Sequence, residues 1–241
     1  MARSMSAANS FCNFGNELLD KLSKQERERL ARHFEHVALA RCQVLYNEGD
    51  RANYVYFPKD CLISLVAMTE DAQTLEVGVV ARKGAMGVPA IFRTNEMPYR
   101  AIVQIPGDAW KIRASVLRAE FDQGQQLHDV LLRYCSTLLT QITQSAVCHR
   151  FHRIEARLSR WLLDCQYHTG KDLVNLTHEI LAMMLGTSRT LITTTAFKLQ
   201  QAGAISYRQG QLKILDRVLL ESLSCECHKI VKDNFAKSLG L

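Results

Sequence analysis

The stretch 176–215 constrains the fold most, because its apolar periodicity switches from helical to alternating over a short span. Thr177 is positioned to cap a helix, its hydroxyl accepting from a free first-turn amide. Ile180, Leu181, Met184 and Leu185 then lay one apolar stripe along that helix. Gly186 reverses the chain at low steric cost, Ser188 caps a second helix, and Gly203 closes it after Leu199. Residues 205–208, the Gln209-Gly210 turn and residues 211–215 add a hairpin. The unit reads as helix, turn, helix and wing.

At about 100° per residue, Ile192, Thr195, Ala196 and Leu199 share one face of the second helix. The opposite face carries Thr190, Thr193, Thr194 and Phe197, with Arg189 at the N-terminal end. One face is built to pack. The other presents hydroxyls and a guanidinium, the groups that meet base edges when a helix lies in a major groove. An ordinary helical hairpin with a solvated polar face has the same pattern, and the wing argues against it.

Charge supports the groove reading. The 241-residue chain has a formal net charge of +6, and residues from 149 onward hold 13 Lys/Arg against 8 Asp/Glu, while the first 148 hold 17 against 16. The excess therefore sits in the half that contains the helix pair, as a phosphate-binding module requires. The length suggests two domains. There is no apolar run long enough to span a membrane and no signal-type apolar core near the N-terminus, so a cytoplasmic protein without membrane partners is expected.

Ahead of the helix pair the period is that of short strands. Residues 16–32 read as a helix, with Ser23 and Glu26 placed to cap or restart it; residues 1–15 read as poorly ordered. Strands are predicted at 37–40, 43–46, 54–57, 62–68, 74–80, 101–105 and 109–112, separated by Gly, Pro and Asp turns. That spacing indicates a jelly-roll barrel or sandwich. A helix follows over 125–148. Leu131, Cys135, Leu138, Ile142 and Ser145 step along it by four and three, a heptad-like seam that predicts a homodimer. His149-Arg150-Phe151-His152 reads as a hinge, and a helix over 153–168 ends at Gly170. Arg150, Arg153 and Lys198 are further candidates for phosphate contact.

The eight cysteines are scattered and include no CxxC pair, so neither a disulfide framework nor a metal centre is expected. Cys225-Glu226-Cys227-His228 reads as buried thiols at a helix end, and Cys148, His149 and His152 as a solvated hinge. Cys135 and Cys148, near the seam, are the candidates for a redox input. No cofactor is evident. Among enzyme motifs, His178-Glu179-Ile180-Leu181-Ala182 lacks the second histidine of a zinc protease, and no phosphate loop or catalytic triad order is present, so an enzyme is not expected.

Taken in order, several segments resemble the Crp/Fnr family of bacterial transcription regulators. They are Val44-Leu45-Tyr46-Asn47-Glu48-Gly49-Asp50, Val55-Tyr56-Phe57, Ile63-Ser64-Leu65, Arg157-Leu158-Ser159-Arg160-Trp161-Leu162, Leu176-Thr177-His178-Glu179 and Met184-Leu185-Gly186-Thr187-Ser188-Arg189. The resemblance covers about residues 30–220. It implies an α+β fold with an N-terminal double-stranded β-helix, or jelly-roll, sensor domain over 16–122. A dimerisation helix over 123–149 and a winged helix-turn-helix domain over 150–241 complete it. It further implies a homodimer on a palindromic double-stranded DNA operator, with RNA polymerase as a partner if the protein activates.

By position, Arg189 matches the guanine-reading arginine, with Ser188, Thr190, Thr193, Thr194 and Lys198 around it and Thr177 and His178 at phosphate. Thr190 stands where many members have glutamate, and Thr194 where the cyclic-AMP branch has a second arginine. The effector pocket would involve Glu76, Gly87, Val88, Tyr99 and Arg100. Val88 replaces the glutamate that holds a ribose hydroxyl, and Arg100 is shifted by one position from the phosphate-binding arginine. Cyclic AMP is therefore not expected and the effector is unknown. Cys12 alone lies where the oxygen-sensing branch clusters its cysteines, so an iron–sulfur centre there is not expected either. The alternative function is a small-molecule-binding module whose helix pair contacts protein.

Overall fold

The computed structural model describes residues 14–240. The expectations for Cys12 and for the order of residues 1–13 lie outside them.

All seven strands expected in the first half form. They are β1 (Glu35–Leu39), β2 (Val44–Tyr46), β3 (Tyr54–Pro58), β4 (Leu62–Met68), β5 (Thr74–Val80), β6 (Arg100–Ile105) and β7 (Gly107–Arg113). One sheet has the order β1-β7-β3 and is antiparallel throughout, with Glu35 opposite Lys111 and Tyr54 opposite Arg113. The other has the order β2-β6-β4-β5. Alternate residues supply the buried interior of this N-terminal β-sandwich, among them Val55, Phe57, Ala101, Val103 and Ile112.

The helix expected over 16–32 splits. A short 3₁₀ turn at Leu19–Lys21 precedes α1 (Lys24–Ala31). Ser23 restarts the chain as a reciprocal cap: it accepts from the Glu26 amide and donates to the Glu26 carboxylate. α2 (Ala114–Phe121) is a helix that the spacing did not indicate. Eight residues with only Leu117 and Phe121 buried give too short a stripe to stand out in sequence.

α3 (Gln126–Phe151) is longer than predicted and runs through the first three residues of the hinge expected at 149–152. The chain breaks at its last residue, His152, and at Arg153, which takes an extended conformation and stands at the N-cap of α4 (Ile154–Thr169). α4 ends at Gly170, whose φ of +70° is a glycine-favoured C-cap.

By contacts the chain divides into two compact units. Of the described residues, 14–63 belong with Val80–Ser136, and Ser64–Val79 with Thr137–Gly240. In the second unit, β8 (Leu173–Asn175) joins β9 (Ile205–Arg208) and β10 (Gln211–Ile214) in an antiparallel sheet of order β8-β10-β9. Between β8 and β9 lie α5 (His178–Met184) and α6 (Arg189–Gln201), and after β10 come α7 (Arg217–Leu223) and α8 (Cys227–Leu239). Gln209 and Gly210, with φ of +52° and +79°, turn β9 into β10 with the primed geometry that a two-residue hairpin needs. Among the described residues, no helix is long and apolar enough to cross a membrane.

Candidate nucleic-acid interface

α5 and α6 are held by caps that the sequence announces. The Thr177 hydroxyl accepts from the Ile180 amide at 3.3 Å, and the Ser188 hydroxyl from the Leu191 amide at 3.2 Å. The link between the helices is tight: Gly186 has φ of +54°, and a Cβ there would come within 2.6 Å of the Leu75 side chain. Replacing Ser188 by alanine should cost about 0.5–2 kcal/mol of stability, measured by denaturant unfolding. An unchanged midpoint would show that the cap does not hold α6.

The two faces of α6 divide as their spacing predicts. Ile192, Thr195, Ala196 and Leu199 are buried. Arg189, Thr190, Thr193, Thr194 and Phe197 are exposed. The threonines are tied to their own helix: Thr193 donates to the Arg189 carbonyl and Thr194 to the Thr190 carbonyl. Their methyl groups and remaining lone pairs stay on the surface.

Arg189 is not idle. Its guanidinium meets the Glu179 carboxylate of α5 at 2.8 Å, a pair that is exposed on both sides. Lys198 likewise pairs with Glu155 of α4 at 2.7 Å. Exposed pairs of this kind are worth about 0–1 kcal/mol, so a phosphate or a base edge can displace either acid at little cost.

His178 has a different place from that implied for a phosphate contact. Its ring stacks on Tyr207 with centroids 4.2 Å apart. Nδ1 lies 2.9 Å from the Thr193 hydroxyl and Nε2 is buried. Because Thr193 donates its proton to the Arg189 carbonyl, His178 Nδ1 is the donor of this pair. Burial, with Arg189 beside it, lowers the His178 pKa. The imidazole packs the wing, through Tyr207, against the two helices. The stacking of Tyr207 on His178 has no signal in the sequence, because the two are 29 positions apart.

The residues expected around an effector do not share one environment. Glu76 is fully enclosed in the second unit. Trp161 Nε1 donates to Glu76 Oε1 at 2.6 Å, and the Ser64 hydroxyl donates to Oε2. Burial raises its pKa to about 7, against the opposing hydrogen bonds from Ser64 and Trp161. This carboxyl braces β5 against α4. In the first unit, Gly87 and Val88 begin a short 3₁₀ turn, Val88 and Tyr99 are buried, and Arg100 Nε is buried with no hydrogen-bond partner. A 760 Å³ cleft in that unit is lined instead by Arg51, Arg93, Arg113 and Arg118, with none of the five residues on its wall.

The residues of the predicted seam differ in exposure. Leu131, Leu138 and Ser145 are buried within the chain, and Cys135 and Ile142 partly so. The open side of α3 carries Leu132, Ser136, Leu139, Thr143, Ala146 and Arg150, with Leu139 65% exposed. The steps are again four and three, rotated by one residue. The heptad pattern identified the periodicity and not which of two adjacent stripes faces inward. Burial pushes the Cys135 thiol up to about 12, which removes it as a reactive thiolate near neutral pH.

Comparison with known proteins agrees with this geometry. Residues 36–123 match the model of a cyclic nucleotide-binding domain, and residues 156–223 that of a Crp-like helix-turn-helix domain. The chain belongs to the Crp/Fnr family of transcription regulators, DNA-binding proteins that join these two domains in this order. Among solved structures, a protein described as a regulator of the crp/fnr family from Eubacterium rectale is 16% identical. The match covers 86% of this chain and 96% of that one, with a TM-score of 0.67. FixK2 from Bradyrhizobium japonicum is 14% identical over 80% of this chain and 98% of its own, with a TM-score of 0.68. The c-di-GMP responsive regulator CLP of Xanthomonas campestris is 18% identical over 80% of this chain and 100% of its own, with a TM-score of 0.65. At such identities the likeness is one of fold. No curated protein sequence matches the chain.

Proposed function

We propose that the protein is a homodimeric, sequence-specific DNA-binding regulator that reads a two-fold-symmetric operator without control by cyclic AMP. The observation that carries this reading is the exposed face of α6, where Arg189, Thr190, Thr193 and Thr194 lie over a fully packed opposite face. A supported helix with arginine at its N-terminal end is what major-groove reading requires. Absence of control by cyclic AMP is argued from Val88, which offers no acceptor for a ribose hydroxyl, and from Glu76, whose oxygens are both engaged inside the second unit.

The experiment is selection of bound duplexes from a random DNA pool, with and without cyclic AMP and cell metabolites. A shared, palindromic sequence whose affinity ignores cyclic AMP is the expected result. Its logarithmic affinity should fall steeply with logarithmic salt, as phosphate contacts release counterions. A flat salt dependence with no enriched sequence would favour the small-molecule module that contacts protein.

The dimer is assigned to the open stripe of α3. Leu139→Ala removes much of an exposed apolar side chain, and should weaken the dimer on the order of tenfold as read by sedimentation equilibrium. Leu131→Ala should act on protomer stability instead, since that side chain is already inside.

A further inference from the structure

The two half-clusters of cysteine and histidine that look weak in sequence converge in the second unit. Cys148 and His152 stand four residues apart at the end of α3, where the His152 amide still bonds to the Cys148 carbonyl at 3.1 Å. Cys225 lies in the turn between α7 and α8, and Cys227, on the other side of Glu226, opens α8. The three sulfurs and a histidine nitrogen all lie within 4.8 Å of one another. Cys148 Sγ is 3.5 Å from Cys225 Sγ, and Cys227 Sγ is 3.5 Å from His152 Nδ1. In sequence each half alone is insufficient for a ligand set, and only the packing of α8 beside the α3 terminus joins them.

We propose that Cys148, His152, Cys225 and Cys227 form a closed, four-coordinate site for a single zinc ion. Zinc binds thiolate at about 2.3 Å and imidazole at about 2.0–2.1 Å, so the edges of its tetrahedron are roughly 3.5–3.8 Å long. Two of the six separations, Cys148–Cys225 and Cys227–His152, are already 3.5 Å, and the rest are no more than 4.8 Å. Three soft sulfurs with one imidazole select zinc over magnesium or calcium, and four protein donors leave no position for a substrate, as in a structural site. An iron–sulfur cluster attaches its ligands to separate iron atoms and would need them farther apart.

The surroundings supply what such a site needs beyond its ligands. Glu226 Oε2 lies 3.4 Å from His152 Nε2, so a carboxylate orients the ring and leaves Nδ1 for the ion. Gln144 Nε2 donates to Cys227 Sγ at 3.2 Å. Three thiolates and one zinc ion leave a net negative charge, and the guanidiniums of Arg157 and Arg160 are within electrostatic reach of Cys148 and Cys225. On binding, each thiol gives up its proton to solvent and no electron moves. The ion would clamp the start of α8 to the α3–α4 break, and its formation would be coupled to folding of that corner.

The test uses the full chain, expressed with zinc and purified in reductant without chelator. Elemental analysis should find one zinc per chain in the wild type and in Cys42→Ser, which alters an exposed cysteine outside the cluster. The Cys225→Ser/Cys227→Ser variant should retain less than about a tenth of that. Cobalt added to the stripped wild type should give thiolate charge-transfer and tetrahedral d–d absorption. Should the double variant not fold, His152→Cys keeps four donors and is expected to hold one zinc with a cobalt spectrum shifted toward four thiolates. Three results would overturn the proposal: wild type that takes up neither zinc nor cobalt, unchanged zinc in a folded double variant, or acid-labile sulfide with iron in place of zinc. A Cys148–Cys225 disulfide in protein purified under reductant would do the same.

Discussion

An Arg189→Ala variant is expected to keep its fold and lose most of its preference for operator over random DNA. The side chain sits at the exposed N-terminal end of α6 and contributes nothing to the core. A guanidinium that grips a guanine edge with two hydrogen bonds supplies about 1–3 kcal/mol of discrimination. The operator preference should therefore fall by a factor of roughly five to 150 in competition binding, while nonspecific affinity changes far less. Loss of the Glu179 pair should not disturb stability measurably, because both partners are largely in solvent. If the variant prefers the operator as strongly as wild type, α6 is not the reading helix or Arg189 does not read. The comparison is made at one fixed salt concentration, since the phosphate contribution depends on it.

The second large effect concerns Glu76. Its folded pKa, raised by burial to about 7, stands above the value of 4.5 that an unperturbed glutamate has. Below about 4.5 the carboxyl is protonated in both the folded and the unfolded chain, and the native state bears no penalty for it. Between the two values the unfolded chain releases a proton that the folded one retains, so stability falls as pH rises through that window. Above about 7 the loss is complete, on the order of 3 kcal/mol. Glu76→Gln keeps an acceptor for Trp161 and places an amide toward Ser64, while removing the titration. The variant should gain stability over wild type progressively between pH 5 and pH 8 in denaturant unfolding. A difference between the two proteins that does not vary with pH would show that Glu76 is already ionised when folded, held by its two donors and Arg160.

The helix pair was the most legible part of the chain. Thr177, Ser188 and Gly186 carry their structural roles in their own chemistry, and the buried stripe of α6 follows from a period of 3.6 residues. The seven strands were legible for the same reason: alternation and turn residues are local signals. Caps, stripes and turns are decided by residues within one or two turns of each other, so a sequence displays them directly.

What sequence left open were relations between stretches far apart in the chain. The heptad on α3 was visible, but Leu131 and Leu132 differ only in which neighbour covers them, and burial chose the first. Glu76 is no open pocket residue, because Trp161 and Ser64 occupy its two oxygens. The His178 ring is stacked on Tyr207, a partner that the residues near it in sequence do not disclose. Cys148 and His152 lie more than seventy residues from Cys225 and Cys227, and no spacing rule joins them. The sequence by itself determined the order of elements, the family and the face of α6 that meets solvent, because each is written in local periodicity. Only the tertiary structure decided which carboxyl is sealed, which stripe of α3 stays open, and that four scattered ligand atoms meet, because burial and proximity belong to the packed chain rather than to any segment of it.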